Sequence, residues 1–153
     1  MDFSKLSKTQ QLVGIGALVG VISAFLPWYS WNFSAFGVSS GGSINGMTSW
    51  WMLSFVAAVL ALAMVALPMF GVKLPKLGVE DKVVYMILGA VTGGIPVLAL
   101  VSGASNGMSG YGGSTGAGLG IWGAIAGGAI MLFGAFMDKG AARPVAPTET
   151  PKE

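Results

Sequence analysis

Between Lys8 and Lys73 the chain runs for 64 residues without a charged side chain, and between Lys82 and Asp138 it does so again for 55. Ordinary soluble domains carry roughly 25% charged residues, whereas this chain of 153 residues has 9%, with 54% hydrophobic residues. A water-facing fold would lack a surface. Each uncharged block is long enough for two helices of about 20 residues with a turn between them, the length that crosses roughly 30 Å of hydrocarbon. The expected fold is all-α: an integral membrane four-helix bundle built from two transmembrane hairpins, with the lipid bilayer as its first partner.

The spans fall at about 12–29, 49–70, 83–102 and 117–137. Loops 30–48 and 103–116 then lie on one side, and residues 1–11, loop 71–82 and residues 139–153 on the other. The first loop is expected to turn at Gly41-Gly42-Ser43, and the tail, with Pro144, Pro147 and Pro151, reads as disordered. All charges fall in residues 2–8, 73–82 and 138–153, which an even number of spans places on one face. Short Lys- and Arg-rich segments stay cytoplasmic, so the expected topology is multi-pass in a plasma membrane with both termini inside. Trp28, Tyr29 and Trp31 close the first span, Trp50 and Trp51 open the second, and Trp122 lies one turn into the fourth. That placement predicts an aromatic belt at the outer interface. Phe33 and Phe36 share the uncharged first loop, expected to lie on the membrane or against protein. A cleaved signal peptide over the first run is disfavoured, because Pro27-Trp28-Tyr29 is bulky where a peptidase requires small residues.

Lipid is as apolar as leucine, so spans associate through close packing at small residues. In the fourth span Gly112, Gly116, Gly120, Ala124 and Gly128 recur every four residues, with Gly123 and Gly127 beside them. Gly16 and Gly20 in the first span and Gly89 and Gly93 in the third repeat the spacing. These are the expected helix-packing residues, read first as letting the four helices of one chain pack tightly; the alternative, slightly favoured by two tracks on the fourth span, is that part of the ridge mates with another polypeptide. The second span reads as bulky nearly all round and therefore lipid-facing. Pro96, near mid-membrane, is a candidate hinge. The polar residues Ser23, Ser54 and Thr92 are each expected to bond their own helix backbone.

Chemistry is sparse. There is no cysteine and no histidine, which removes thiolates, disulfides, the commonest metal ligand and the usual acid/base at neutral pH. No catalytic, metal or cofactor-binding residue is assigned, no cofactor is expected, and a net charge of +2 without a basic stripe excludes nucleic acid. Gly118-Leu119-Gly120-Ile121-Trp122-Gly123 matches G-x-G-x-x-G, but opens a membrane span rather than following a strand of a βαβ unit. Residues 110–116 lack the lysine of a phosphate loop. Asn32-Phe33-Ser34 is a formal glycosylation sequon close to the bilayer, and Asn45-Gly46-Met47 recurs as Asn106-Gly107-Met108. The spans hold no ionisable residue of the kind a proton path requires.

Ala24-Phe25-Leu26-Pro27-Trp28, a Gly/Ser loop with Asn45-Gly46, and Gly116-Ala117-Gly118-Leu119-Gly120-Ile121-Trp122 together resemble small four-span membrane proteins of unknown function common in Gram-positive, particularly actinobacterial, genomes. The resemblance implies a bacterial plasma membrane and no activity. The expected function is non-catalytic: association with other membrane-protein subunits, as an accessory or scaffold, or with copies of itself. The alternative is a small channel or transporter for a neutral solute, constricted near Thr92, Gly93, Gly94 and Pro96.

Overall fold

The computed structural model describes residues 6–72, 79–105 and 113–137. Gly112, the Asn106-Gly107-Met108 repeat and the tail lie outside the described residues. The elements in order are α1 (Lys8–Phe25), β1 (Pro27–Ala35), β2 (Val38–Asn45), a 3-10 turn (Ser49–Trp51), α2 (Met52–Met69), α3 (Asp81–Ser105), β3 (Gly113–Ala117) and α4 (Leu119–Met137). Each of the four helices, with the 3-10 turn joined to α2, is long and apolar enough to cross a membrane. The all-α expectation is corrected by a three-stranded antiparallel sheet, ordered β2-β1-β3.

The helix ends follow local chemistry. Ser7 and Gln10 form a capping box, each side chain accepting the other's backbone N–H at 3.2 and 3.1 Å. At the other end Pro27 forces the preceding residue out of the helical region, and Leu26 is extended at φ −79°, ψ 158°. The first span therefore stops at Phe25, not Tyr29. α2 closes with Gly71 at φ +77°, the Gly71 and Val72 N–H groups returning to the carbonyls of Pro68 and Leu67 at 3.0 and 3.1 Å. That is a Schellman ending, which favours glycine at the left-handed position.

The helices stand in a square in which α1 packs on α2 and α4, and α3 packs on α2 and α4. The α1–α4 contact is the most extensive, and glycine explains it. A Cβ added to Gly16 would lie 2.6 Å from the Gly127 carbonyl oxygen, and one added to Gly127 would lie 2.7 Å from that of Gly16. The two backbones touch. Gly120, Gly123 and Gly134 continue this stripe of α4 against the Leu26 carbonyl, Ser23 and Leu12 of α1, while Gly128 meets Gly93 and Gly89 of α3.

The every-fourth-residue ridge read from the sequence thus divides between two neighbours. A row spaced by four drifts about 40° around a helix of 3.6 residues per turn at each step, so Gly120 faces α1 while Gly128 faces α3. Both tracks are used inside one chain. Gly116 is not part of the helix at all; it lies in β3 with no atom within 4 Å of an added Cβ.

α2 is the least buried span, its Leu53, Val56, Leu60 and Leu67 facing outward. It is not bulky all round, because Ser54, Ala57, Ala58 and Ala61 form a small inner face. Pro96 sits buried within a continuous α3. A proline has no N–H to give the carbonyl four residues back, which here belongs to Thr92. The Ser54 hydroxyl of α2 donates to that carbonyl at 2.8 Å. Ser54 therefore bonds a neighbouring helix rather than its own, while Ser23 donates to Val19 of α1 at 2.6 Å. The Thr92 hydroxyl is buried without a partner, and its methyl packs toward Gly20.

Candidate functional site

The sheet end of the bundle is the part of the chain with the least ordinary construction. β1 and β2 form a hairpin turning at Phe36-Gly37, whose φ angles of +53° and +78° are both positive, as a type I′ turn requires. Gly41, Gly42 and Ser43, expected as the turn, lie within β2 opposite Asn32, Trp31 and Ser30. β3 adds to the other side of β1, pairing Tyr29 with Ala117 and Phe33 with Gly113.

The register of β1 slips between Pro27 and Tyr29, a bulge of the kind that re-aims side chains. Its effect is to send two consecutive aromatics into the bundle. Trp28 is fully buried among Ala99, Ile121 and Ala124, its indole N–H donating to the Ser23 carbonyl at 3.0 Å. Gly46 and Gly120 lie against its ring where side chains would not fit, and Trp51 stacks on it at 5.8 Å between centroids. Tyr29 lies 5.5 Å from Trp51 and donates its hydroxyl to the Ala99 carbonyl of α3. Burial pushes the Tyr29 pKa above its ordinary 10.0. Trp28, expected in the interfacial belt, is instead a core residue, while Trp50 and Trp122 are well exposed at this end.

Around this seat the backbone is tied down. The Gly46 N–H donates to the Ala24 carbonyl at 3.0 Å, and the Gly118 N–H to the Trp28 carbonyl at 2.7 Å. The Asn45 side chain accepts from the Met47 N–H and the Thr48 hydroxyl, both at 3.3 Å. Gly118, Gly120 and Gly123, which match the dinucleotide spacing, pack against Pro27, Trp28 and Ser23. Their spacing serves helix and sheet contact.

Beyond Tyr29 the strand residues from Ser30 to Ser34 are exposed among the described residues. Directly paired residues share a face of the sheet, so Trp31 stands with Gly42 and Thr115, Phe33 with Ser40, and Ala35 with Val38. Ser30, Asn32 and Ser34 take the opposite face with Ser43, Gly41 and Ser39. One side is aromatic and apolar, the other hydroxyl- and amide-bearing, and neither holds a charge. The Trp31 ring lies over Gly42, where an added Cβ would come within 2.5 Å of it. Trp31 and Phe33 are 39% and 42% exposed, and Phe36 at the tip is wholly exposed. A bulky non-glycine residue at positive φ is uncommon, and here it carries the most exposed large apolar side chain of the hairpin.

A cleft of about 330 Å³ opens beside the foot of the hairpin, lined by Phe25, Pro27, Ser43, Ile44, Asn45 and Thr48. Among the described residues no group of three or more His, Cys, Asp or Glu is placed to hold a metal. Trp28, Tyr29, Trp31, Phe33 and Phe36 are named at this end from the sequence, whereas Ile44, the place of Gly46 against the Trp28 ring and the Ser54–Thr92–Pro96 arrangement are not. The last was accessible in principle, since a buried proline always orphans the carbonyl four residues earlier. Compared with protein-family models and with curated proteins, the chain matches none.

Proposed function

We propose that this chain is a non-catalytic tetraspan protein of a bacterial plasma membrane, both termini cytoplasmic, that acts by association as an accessory or scaffold subunit of a larger membrane assembly. The observation that carries this reading is the uncharged sheet with the half-exposed Trp31 and Phe33 and the wholly exposed Phe36 at its tip, which the bundle seats firmly and the described residues leave uncovered. Large exposed apolar patches on folded proteins mark interaction sites. The glycine stripes favour internal packing over a partner, since both tracks of α4 meet α1 and α3, and this moves the expected contact from the spans to the sheet. The same close packing counts against a solute path through one bundle: at Gly16 and Gly127 the backbones leave no room for a methyl group. The test is mild extraction from native membranes followed by mass measurement of the intact particle. Stoichiometric recovery with larger subunits is the expected result; a particle of this chain alone refutes the proposal.

A further inference from the structure

We propose that the cleft at the foot of the hairpin is a lipid site: it holds the uncharged, hydroxyl-bearing headgroup of a bilayer lipid, of the glycosyl diacylglycerol class, while an acyl chain of that lipid lies along the exposed face of α1. This rests on the membrane reading above and not on the association with other subunits.

The place of the cleft is the first observation. Its wall contains Phe25, the last residue of α1, and Thr48, which caps the turn leading into α2. Both helices are long and apolar enough to cross a membrane, so the cleft opens where two spans give way to the sheet. Phe25 also ends a row. Ile15, Leu18, Ile22 and Phe25, spaced by three, four and three residues, share one face of α1, and each is about half exposed. In a bilayer that face meets acyl chains, since the described residues leave it open, and the row leads directly into the cleft.

The lining is amphipathic and held in place. Phe25, Pro27 and Ile44 are apolar, whereas Ser43, Asn45 and Thr48 bring hydroxyl and amide groups. The Asn45 Oδ1 already accepts from the Met47 N–H and the Thr48 hydroxyl, which fixes the carboxamide and leaves its NH2 to donate and the Thr48 oxygen to accept. The bond from the Gly46 N–H to the Ala24 carbonyl ties this segment to α1. At about 330 Å³ the cleft is at the small end of ligand sites, which run from roughly 300 to 1,000 Å³, and suits a compact headgroup rather than a whole lipid.

Charge decides the class of lipid. Phosphate is held by Arg or Lys, but residues 9–72, which supply every wall of the cleft, contain no charge. The charged residues among those described are Lys8, Glu80, Asp81 and Lys82, at the starts of α1 and α3. Lys8 and Phe25 stand at opposite ends of α1, about 26 Å apart at 1.5 Å per residue. Sugar hydroxyls, which both donate and accept without a net charge, match the donors and acceptors that the cleft presents.

The test reconstitutes the full chain in phosphatidylcholine vesicles doped with glucosyl diacylglycerol or, separately, with phosphatidylglycerol, transfers it to mild detergent, and weighs the intact particle by native mass spectrometry. The wild type and Ser39→Phe, which alters β2 outside the cleft, are expected to retain glucosyl diacylglycerol in preference to phosphatidylglycerol, and Ser43→Phe, which fills the cleft, to retain roughly tenfold less of it. Retention of both lipids alike, of neither, or of equal amounts by all three chains overturns the proposal. Amide shifts of residues 43–48 in the wild type give a reading that needs no substitution: saturable movement as the glucolipid fraction rises is expected, and none overturns the site. In native membranes a photocrosslinker at position 43 is expected to label lipid; labelling of protein overturns the proposal in favour of a partner subunit. Carbonate washing separates the two levels, because a chain that stays in the membrane without retaining the lipid keeps the membrane reading and removes the site, whereas a chain that washes off removes both.

Discussion

Replacing Gly127 with alanine tests the claim that backbone contact between α1 and α4 holds the bundle. The new methyl carbon would lie 2.7 Å from the Gly16 carbonyl oxygen and 2.9 Å from the Gly20 nitrogen. Both are main-chain atoms, so no rotamer change relieves the contact. Ordinary carbon contacts begin at about 3.5 Å, so the helices must part locally by roughly 0.6–0.8 Å, a gap that forfeits about a quarter to a half of the dispersion energy of the atoms it separates. Overpacking of this kind costs about 1–3 kcal/mol, partly offset by about 1 kcal/mol of helix propensity gained in exchanging glycine for alanine. The net expectation, taking the upper half of that range, is a loss of about 1–2 kcal/mol. Gly94→Ala is the control, since nothing lies within 4 Å of its added Cβ and only the propensity gain applies. Unfolding of each variant by rising SDS fraction in mixed micelles, followed by tryptophan fluorescence as Trp28 leaves its seat, reads the difference. Equal stability of Gly127→Ala and Gly94→Ala would refute the reasoning.

Three further outcomes are expected. Ser54→Ala leaves the Thr92 carbonyl without its donor and costs about 1 kcal/mol, but in a Pro96→Ala background, where residue 96 regains an N–H, the same change costs little; a double-mutant cycle showing no coupling would contradict the assigned role. Phe36→Asn relieves an aromatic side chain at positive φ and stabilises the hairpin by about 1 kcal/mol, visible as slower amide exchange in β1 and β2, while weakening recovery of the assembly. Because the Tyr29 pKa is raised, its contribution is fully present below about pH 10 and is lost as pH climbs through the higher folded value, where the phenolate can no longer donate to the Ala99 carbonyl; the alkaline fall in unfolding midpoint is smaller in Tyr29→Phe.

The helices were legible because a membrane span requires length and hydropathy, and both are local properties of a sequence. The sheet was not, although half of its signal was present. Tyr29, Trp31, Phe33 and Ala35 alternate with Ser30, Asn32 and Ser34 in the period of a strand, but the turn that follows is Phe36-Gly37 rather than the Asn-Gly or Asp-Gly that announces a type I′ hairpin. β2 and β3 are written mainly in serine and glycine, which have little strand preference. They are strands because β1 offers a ladder, a relation between residues 29 and 117 that no local window contains. Trp28 was misplaced for a similar reason: its neighbours Tyr29 and Trp31 suggest an interfacial row, and only the register slip turns it inward. The small residues of α4 were recognisable individually, whereas their division between α1 and α3 required the helical drift to be followed around a closed square.

The dominance of the α1–α4 contact has a consequence for how the chain comes to exist. A polypeptide is made from its N-terminus, so α1, β1 and β2, α2 and α3 are all synthesised before α4. Until that last helix enters the membrane, the flat glycine side of α1 has no mate, and Trp28 lacks Ile121, Ala124 and Gly120, which complete its seat. The nascent protein is a three-walled box with its most adhesive wall open. Biogenesis is then a race between arrival of residues 119–137 and capture of that wall by any other small-residue helix in the bilayer. Chains truncated before α4 should be the ones that membrane quality control removes.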